Sequence, residues 1–358
     1  MKETSRSPSL SPSHRSTELT TKSREGKCVF NKIIYNTHTF FCKYSLTIFS
    51  DIVNIRINME IKDRSKLLTE QRNPSTITID SKTTLEIIDI INAEDASIFS
   101  AIHKERQTIA KAVDLIVDAI SKEGGRLIYV GAGTSGRLGI LDAAECPPTF
   151  STDPNMVIGI IAGGDKAVFQ SIEGAEDFPE NGAKDIQQKE VTHRDVVVGI
   201  TTGGTTPYVM GALFEAKKRN AKTVFLCCNL ETTPNFEMDV IIRPIVGPEV
   251  ITGSTRMKAG TATKLILNML STATMIKLGK VYENLMVDLK AMNAKLTDRA
   301  ERIIMAVTGV SRDDAKKLLT GAYGNAKVAI VMQKLGLEYA EAKKRLDACG
   351  GFVRKVLE

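Results

Sequence analysis

The run Leu127-Ile-Tyr-Val-Gly-Ala-Gly-Thr-Ser-Gly-Arg137 decides how this chain is read. A short apolar stretch, Leu127 to Val130, has the length and composition of a buried strand. Three glycines in GxGxxG spacing follow it, and after them a helical pattern begins. A strand that turns through glycines straight into a helix is the first half of a βαβ unit, and it leaves the helix's first N–H groups free to face an anion.

The same grammar extends in both directions. Upstream from Ser81, Leu85, Ile88, Ile91, Ile98, Ile102, Ile109, Val113, Ile116 and Ile120 recur mostly at threes and fours, until Gly124-Gly125 stops the helical pattern. Downstream, β-branched runs return at Val157 to Ile161, Val196 to Ile200, Val224 to Cys227 and Val240 to Ile242, most of them separated by helix-length segments. That alternation predicts an α/β fold, a three-layer αβα sandwich around a Rossmann-like parallel sheet. Gly253 to Leu278 reads as one long buried helix. From Ser311 three short amphipathic helices are expected, broken near Gly321 to Gly324 and at Gly336. The chain therefore divides into a 1–58 extension, a 59–300 α/β domain with N-terminal helices, and a 301–358 helical subdomain.

The 358 residues are 42% hydrophobic and 25% charged, enough for a large core without disulfides or a structural metal. Of the net charge of +6, residues 1–58 carry nine Lys/Arg against four Asp/Glu, or +5. The body is close to neutral, which argues against nucleic acid as a partner. Residues 1–27 are rich in Ser, Thr, Pro and Arg and predict disorder. The extension is basic like a transit peptide yet contains Glu3, Glu18 and Glu25, and Met59 offers an alternative start. Its two cysteines, Cys28 and Cys42, join Cys146, Cys227, Cys228 and Cys349 with no CxxC pair among them, so free thiols in a reducing, cytoplasmic setting are expected. No apolar run reaches membrane-spanning length. The four histidines, His14, His38, His103 and His193, show neither metal nor nucleophile spacing. His103 reads as a helix surface residue and His193 as part of a polar turn.

Five segments carry chemistry. In the first, Thr134, Ser135 and Gly136 open a helix. The two hydroxyls and the lack of an acidic residue at the end of the next strand disfavour a dinucleotide and suit a phosphate monoester. The second, Thr201-Thr-Gly-Gly-Thr-Thr-Pro207, offers Thr202 and Thr206 at another strand end. The third, Thr252-Gly-Ser-Thr-Arg-Met-Lys258, offers Ser254, Thr255, Arg256 and Lys258. Such helix starts converge beyond the carboxyl ends of strands. The fourth, Leu141-Asp-Ala-Ala-Glu-Cys-Pro-Pro148, places Glu145 where a double proline is expected to end its helix. The fifth is Glu173-Gly-Ala-Glu-Asp177. Composition alone does not choose among these acids, and Cys146 reads as a small buried residue rather than a nucleophile.

The runs Gly131 to Pro148, Ile161 to Gly164, Glu173 to Asp177, Ile245 to Thr263 and Leu267 to Thr272 together resemble the N-acetylmuramic acid 6-phosphate etherases of the sugar isomerase domain superfamily. The resemblance runs from about Leu67 to the C-terminus. It implies that Glu145 matches the family's proton donor and Glu176 its second active-site glutamate. It also implies a sugar-phosphate substrate, no metal or redox cofactor, and a small C-terminal helical subdomain. One departure stands out: where the family has Ser-Gly-Arg-Thr-Pro in the second loop, this chain has Gly203 and Thr205 in place of the Ser and Arg. Three rivals are a sugar-phosphate sensor resembling glucokinase regulatory protein, an aldose–ketose phosphate isomerase and a dinucleotide enzyme. The first has two tandem domains where this chain has room for one.

A continuous helix from Gly136 to Glu145 rises about 14 Å, further than one sugar phosphate reaches from phosphorus to C2. The expectation is that Glu145 serves a phosphate held by other loops or by a second subunit, in a homodimer with its active site near the interface.

Overall fold

A computed structural model describes residues 64–289 and 293–358. The expectations for residues 1–58, including Cys28, Cys42 and Met59, lie outside the described residues. Five strands, β1 (Leu127–Gly131), β2 (Val157–Ile161), β3 (Val196–Ile200), β4 (Lys222–Leu226) and β5 (Val240–Ile242), form one sheet in the order β2-β1-β3-β4-β5. Every pairing is parallel. The strand order reverses between β1 and β3, the position where open α/β sheets bind ligands.

The strands read as continuous apolar runs because both faces are covered. Leu127 and Tyr129 point into one core with Val196, Val198 and Leu226. Ile128 and Val130 point into the other with Val197 and Phe225. The first face is covered by α3 (Arg106–Glu123), α4 (Gly133–Phe150) and α8 (Lys258–Lys277), the second by α6 (Pro179–Gln188) and α7 (Pro207–Lys218). A short α5 (Lys166–Phe169) follows β2.

The N-terminal helical stretch divides into three helices, α1 (Thr84–Asp95), α2 (Ser97–Lys104) and α3. Apolar spacing runs on across both breaks, so periodicity could not see them. The Ser97 hydroxyl donates to the Glu94 carbonyl at 2.7 Å, a local bond that competes with helix continuation. Helix α3 ends as expected, with Gly124 in the left-handed region. His103 and His193 are exposed, in α2 and in the turn before β3.

Two helix boundaries correct the sequence reading. Helix α4 does not stop after Glu145; it continues through Pro147 and Pro148 to Phe150. The prolines remove two donors, but the buried Cys146 and Phe150 hold the last turn on the core, and Ser151 closes it by donating to the Pro147 carbonyl at 2.9 Å. Helix α8 begins at Lys258 rather than Gly253, because the preceding residues form turns.

Beyond α8, α9 (Ala294–Thr308), α10 (Arg312–Gly321), α11 (Ala326–Leu335), α12 (Tyr339–Ala348) and α13 (Val353–Leu357) share a separate core built on Ile304, Leu319, Ile330, Leu346 and Val353. The breaks after Gly321 and at Gly336 fall where the glycines predicted them, but four helices follow Ser311 rather than three, the extra break falling at Gly350 and Gly351, both at positive φ.

Candidate active site

The start of α4 has no side-chain cap. Its N-cap, Ala132, has no side chain that could accept a hydrogen bond from the first turn. Ser135 is buried and Thr134 half-buried. Gly136 plays a different part from the one its position suggests. Its N–H already donates to the Ala132 carbonyl at 3.3 Å, and a Cβ there would lie 2.6 Å from the Ile161 side chain. Gly136 therefore lets the helix approach the sheet and presents no free donor.

A cavity of about 220 Å³ lies against this start, lined by Gly133, Arg137, Glu173 and Glu176 among others. The acid loop is pinned from two sides. Arg137 donates to the Val168 and Gln170 carbonyls, each at 3.0 Å. The Tyr208 N–H donates to the Glu176 carbonyl at 3.0 Å, tying the loop to the start of α7. Glu176 is exposed at the cavity.

The second loop sits beside the first because β1 and β3 are neighbours. Thr206 caps α7 without a side-chain bond to the helix; its hydroxyl lies 2.8 Å from that of Thr201. Asn229, fully buried, donates to the Thr202 and Gly203 carbonyls at 3.3 and 3.2 Å and to Thr69 Oγ1 at 3.2 Å. Sequence reasoning missed Asn229, though its place at the carboxyl end of β4 was a signal. A Cβ at Gly203 would meet only Thr205 Oγ1, at 3.8 Å, so the loop has room for the family's serine.

The third segment differs from the other two. Its helix start is already filled: Glu249, wholly buried, accepts from the Lys258 N–H and the Ala259 N–H, both at 2.9 Å. Burial pushes the Glu249 carboxyl above its ordinary value against the pull of these N–H groups. The Lys258 ammonium, 2% exposed, bonds Glu94 Oε2 at 2.6 Å, and Glu94 also accepts from Asn73. Lys258 thus ties α8 to α1. Ser254 and Thr255 are half-buried and Arg256 is exposed. The segment does approach the first: a Cβ at Gly260 would lie 3.6 Å from Thr134 Cγ2.

Glu145 lies elsewhere on α4. It lines a groove of about 330 Å³ between α4 and α8, with Asp142, Lys264, Asn268 and Ser271. Twelve residues of helix separate it from Gly133, a rise of about 18 Å. Within one chain the fold therefore brings Glu176 to the open helix start and leaves Glu145 in a different recess. Beneath Glu145, Asp142 accepts from Tyr129 OH at 3.0 Å and from Ser271 Oγ at 3.1 Å. Burial, opposed by these two donors, raises its carboxyl above the ordinary value. Cys146 is buried and its thiol is pushed up to about 12, first by burial and then by Asp142 and Glu145, which fits a packing residue. No group of His, Cys, Asp and Glu among the described residues could hold a metal ion, and no described helix is long and apolar enough to cross a membrane.

Comparison with known proteins finds relatives along most of the chain. A sequence model described as the glucokinase regulatory protein N-terminal SIS domain matches residues 108–217, and one described as the SIS domain matches residues 166–273. Among curated proteins, the N-acetylmuramic acid 6-phosphate etherase of Caldanaerobacter subterraneus is 52% identical over 82% of this chain and 95% of its own length. That of Rhizobium rhizogenes is 52% identical over 83% and 96%. That of Clostridioides difficile is 50% identical over 84% and 98%. At this identity and coverage the chain belongs to the N-acetylmuramic acid 6-phosphate etherase family.

Proposed function

We propose that the protein cleaves the D-lactyl ether of N-acetylmuramic acid 6-phosphate, giving N-acetylglucosamine 6-phosphate and D-lactate. The observation that carries this reading is half-identity to curated etherases along almost their whole length, in a chain that retains both Glu145 and Glu176.

The chemistry starts from a poor leaving group. An alkyl ether resists direct hydrolysis, but the open-chain sugar carries an aldehyde at C1 that acidifies the proton on C2. A glutamate removes that proton, the C2–H electrons form the C2=C3 bond, and the C3–O bond breaks. The departing lactate oxygen takes a proton from a carboxylic acid. Water then adds, its hydroxyl to C3 and a proton to C2. Each positioned proton transfer contributes roughly 10²–10⁴-fold. The open start of α4, with Thr134 and Ser135, and the second loop, with Thr202 and Thr206, hold the phosphate; its binding energy positions the reacting carbons. In this reading Ser254, Thr255 and Arg256 close the site from the third segment.

The separation of the two glutamates supports a homodimer whose sites take Glu176 and the phosphate loops from one subunit and Glu145 from the other. An apolar surface supports it too: α1 carries Leu85, Ile87, Ile88, Ile90 and Ile91 yet buries none of its residues, with Leu85 68% and Ile88 56% exposed. Free thiols at Cys146, Cys227, Cys228 and Cys349 suit a cytoplasmic enzyme.

D-lactate release from N-acetylmuramic acid 6-phosphate tests the activity, with Glu145→Ala as control. A sensor or an isomerase would release none. Mixing Glu145→Ala with Glu176→Ala subunits tests the shared site. Random pairing of a two-fold dimer restores about a quarter of wild-type activity, because half the dimers are mixed and each has one intact site. No restoration sinks the shared site and leaves the activity standing.

A further inference from the structure

The groove beside Glu145 contains more than the elimination uses. On α8, Lys264, Asn268 and Ser271 fall at helical spacing on one face, opposite Asp142 and Glu145 on α4. The polar groups at the floor are engaged with one another. Asp142 accepts from Tyr129 and Ser271. In the amide orientation that satisfies its neighbours, Asn268 donates to Asp142 Oδ1 at 3.2 Å and accepts from Lys264 Nζ at 2.8 Å. Lys264 is exposed at the rim and is the sole Lys or Arg among the described residues that line the groove. Its ammonium has three donors. Asn268 takes one of them, and the Lys264 charge also pulls on the Asp142 carboxyl without a direct ion pair between them.

A groove lined by two carboxylates repels an anion unless a cation offsets them. The lactyl ether is such an anion: its carboxylate is attached to the carbon that bears the ether oxygen. When that oxygen is within reach of a proton on Glu145, the carboxylate must lie nearby in the same groove. The half-exposed Leu141 gives an apolar wall suited to the lactyl methyl.

We propose that Lys264, oriented by Asn268 over Asp142, is the specificity residue that receives the lactyl carboxylate while Glu145 addresses the ether oxygen. The assignment rests on the etherase reading and adds to it the recognition of the leaving group. Lys264 holds the departing acid in register with its proton donor and separates substrates by the charge of the ether substituent.

The test compares N-acetylmuramic acid 6-phosphate with its neutral lactamide, which keeps the ether and the shape and loses the charge. The wild-type ratio of kcat/KM, acid over amide, should fall about tenfold to a hundredfold in Lys264→Ala and Lys264→Gln, the worth of one charge-assisted hydrogen bond. Lys264→Arg should keep most of it. D-lactate should inhibit the wild type more strongly than D-lactamide does, and the two neutralising variants should lose that preference. An unchanged acid-to-amide ratio in both neutralising variants overturns the proposal. So does an equal loss on both substrates, since Lys264 would then act through Glu145 or the fold. Failure of the etherase reading shows separately, as absence of lactate from the wild-type protein.

Discussion

The starts of α4 and α8 look alike in sequence and differ in the folded chain. Both have glycine and hydroxyl residues at or just before the first turn, and both open helices on the same face of the sheet. At α4 the cap is Ala132, the first turn lacks a side-chain acceptor, and a cavity with Glu176 on its wall stands in front. At α8 a buried carboxylate, Glu249, occupies the place an external anion would take, and the Lys258 ammonium is neutralised by Glu94. A helix N-terminus attracts an anion in either case. Whether the anion comes from the substrate or from the chain separates a binding site from a structural joint.

The largest effect expected from this contrast lies on the open side. Glu176→Gln should lower kcat for lactate release by roughly 10²–10⁴-fold and leave urea-induced unfolding where it was, since the side chain is exposed. A matching loss of stability would break the distinction between site and joint.

The next effect lies on the filled side and is one of stability. Glu249→Gln turns an amide donor toward a helix N–H and should cost about 2 kcal/mol in denaturant titration. Its pH dependence sharpens the point. Burial raises the Glu249 carboxyl above its ordinary value against the Ala259 and Lys258 N–H groups. The folded chain then holds that proton more tightly than the unfolded chain. The carboxyl's contribution is therefore greatest below the ordinary carboxylate value and is lost as pH rises through the raised one. Asp195 behaves in the opposite way. Burial works against its charge, but the Arg126 and Thr192 donors outweigh burial and lower it, so its contribution is present above the ordinary value and lost as pH falls through the lowered one. As pH rises, the stability difference between wild type and Asp195→Asn should grow below the ordinary carboxylate value, and the difference between wild type and Glu249→Gln should shrink above it. Parallel slopes would contradict the assignment.

The smallest effect is on binding. Ser135→Ala at the open start should raise KM about fivefold, the loss of about 1 kcal/mol from one hydroxyl hydrogen bond. It should leave folding intact. An unchanged KM would move the phosphate away from α4.

The sequence by itself determined the layers. Leu127 to Val130 and its four successors announce strands because both faces of a parallel sheet are covered, which leaves unbroken apolar runs that local patterning records. The glycines at 124, 321 and 336 marked their helix ends for an equally local reason. The order β2-β1-β3-β4-β5, which seats the first and second loops side by side, was a matter for packing. So was the persistence of α4 through two prolines, where burial of Cys146 and Phe150 overrides a local rule. The partners of each charge were likewise hidden: Lys258 and Glu94 lie 164 residues apart, Ser271 and Asp142 lie 129 apart. Only tertiary structure decided that Lys258 is a buried brace and Lys264 a cation facing a groove. A side chain's charge belongs to its residue type, but what neutralises that charge depends on which distant segment the fold brings within a hydrogen bond's reach.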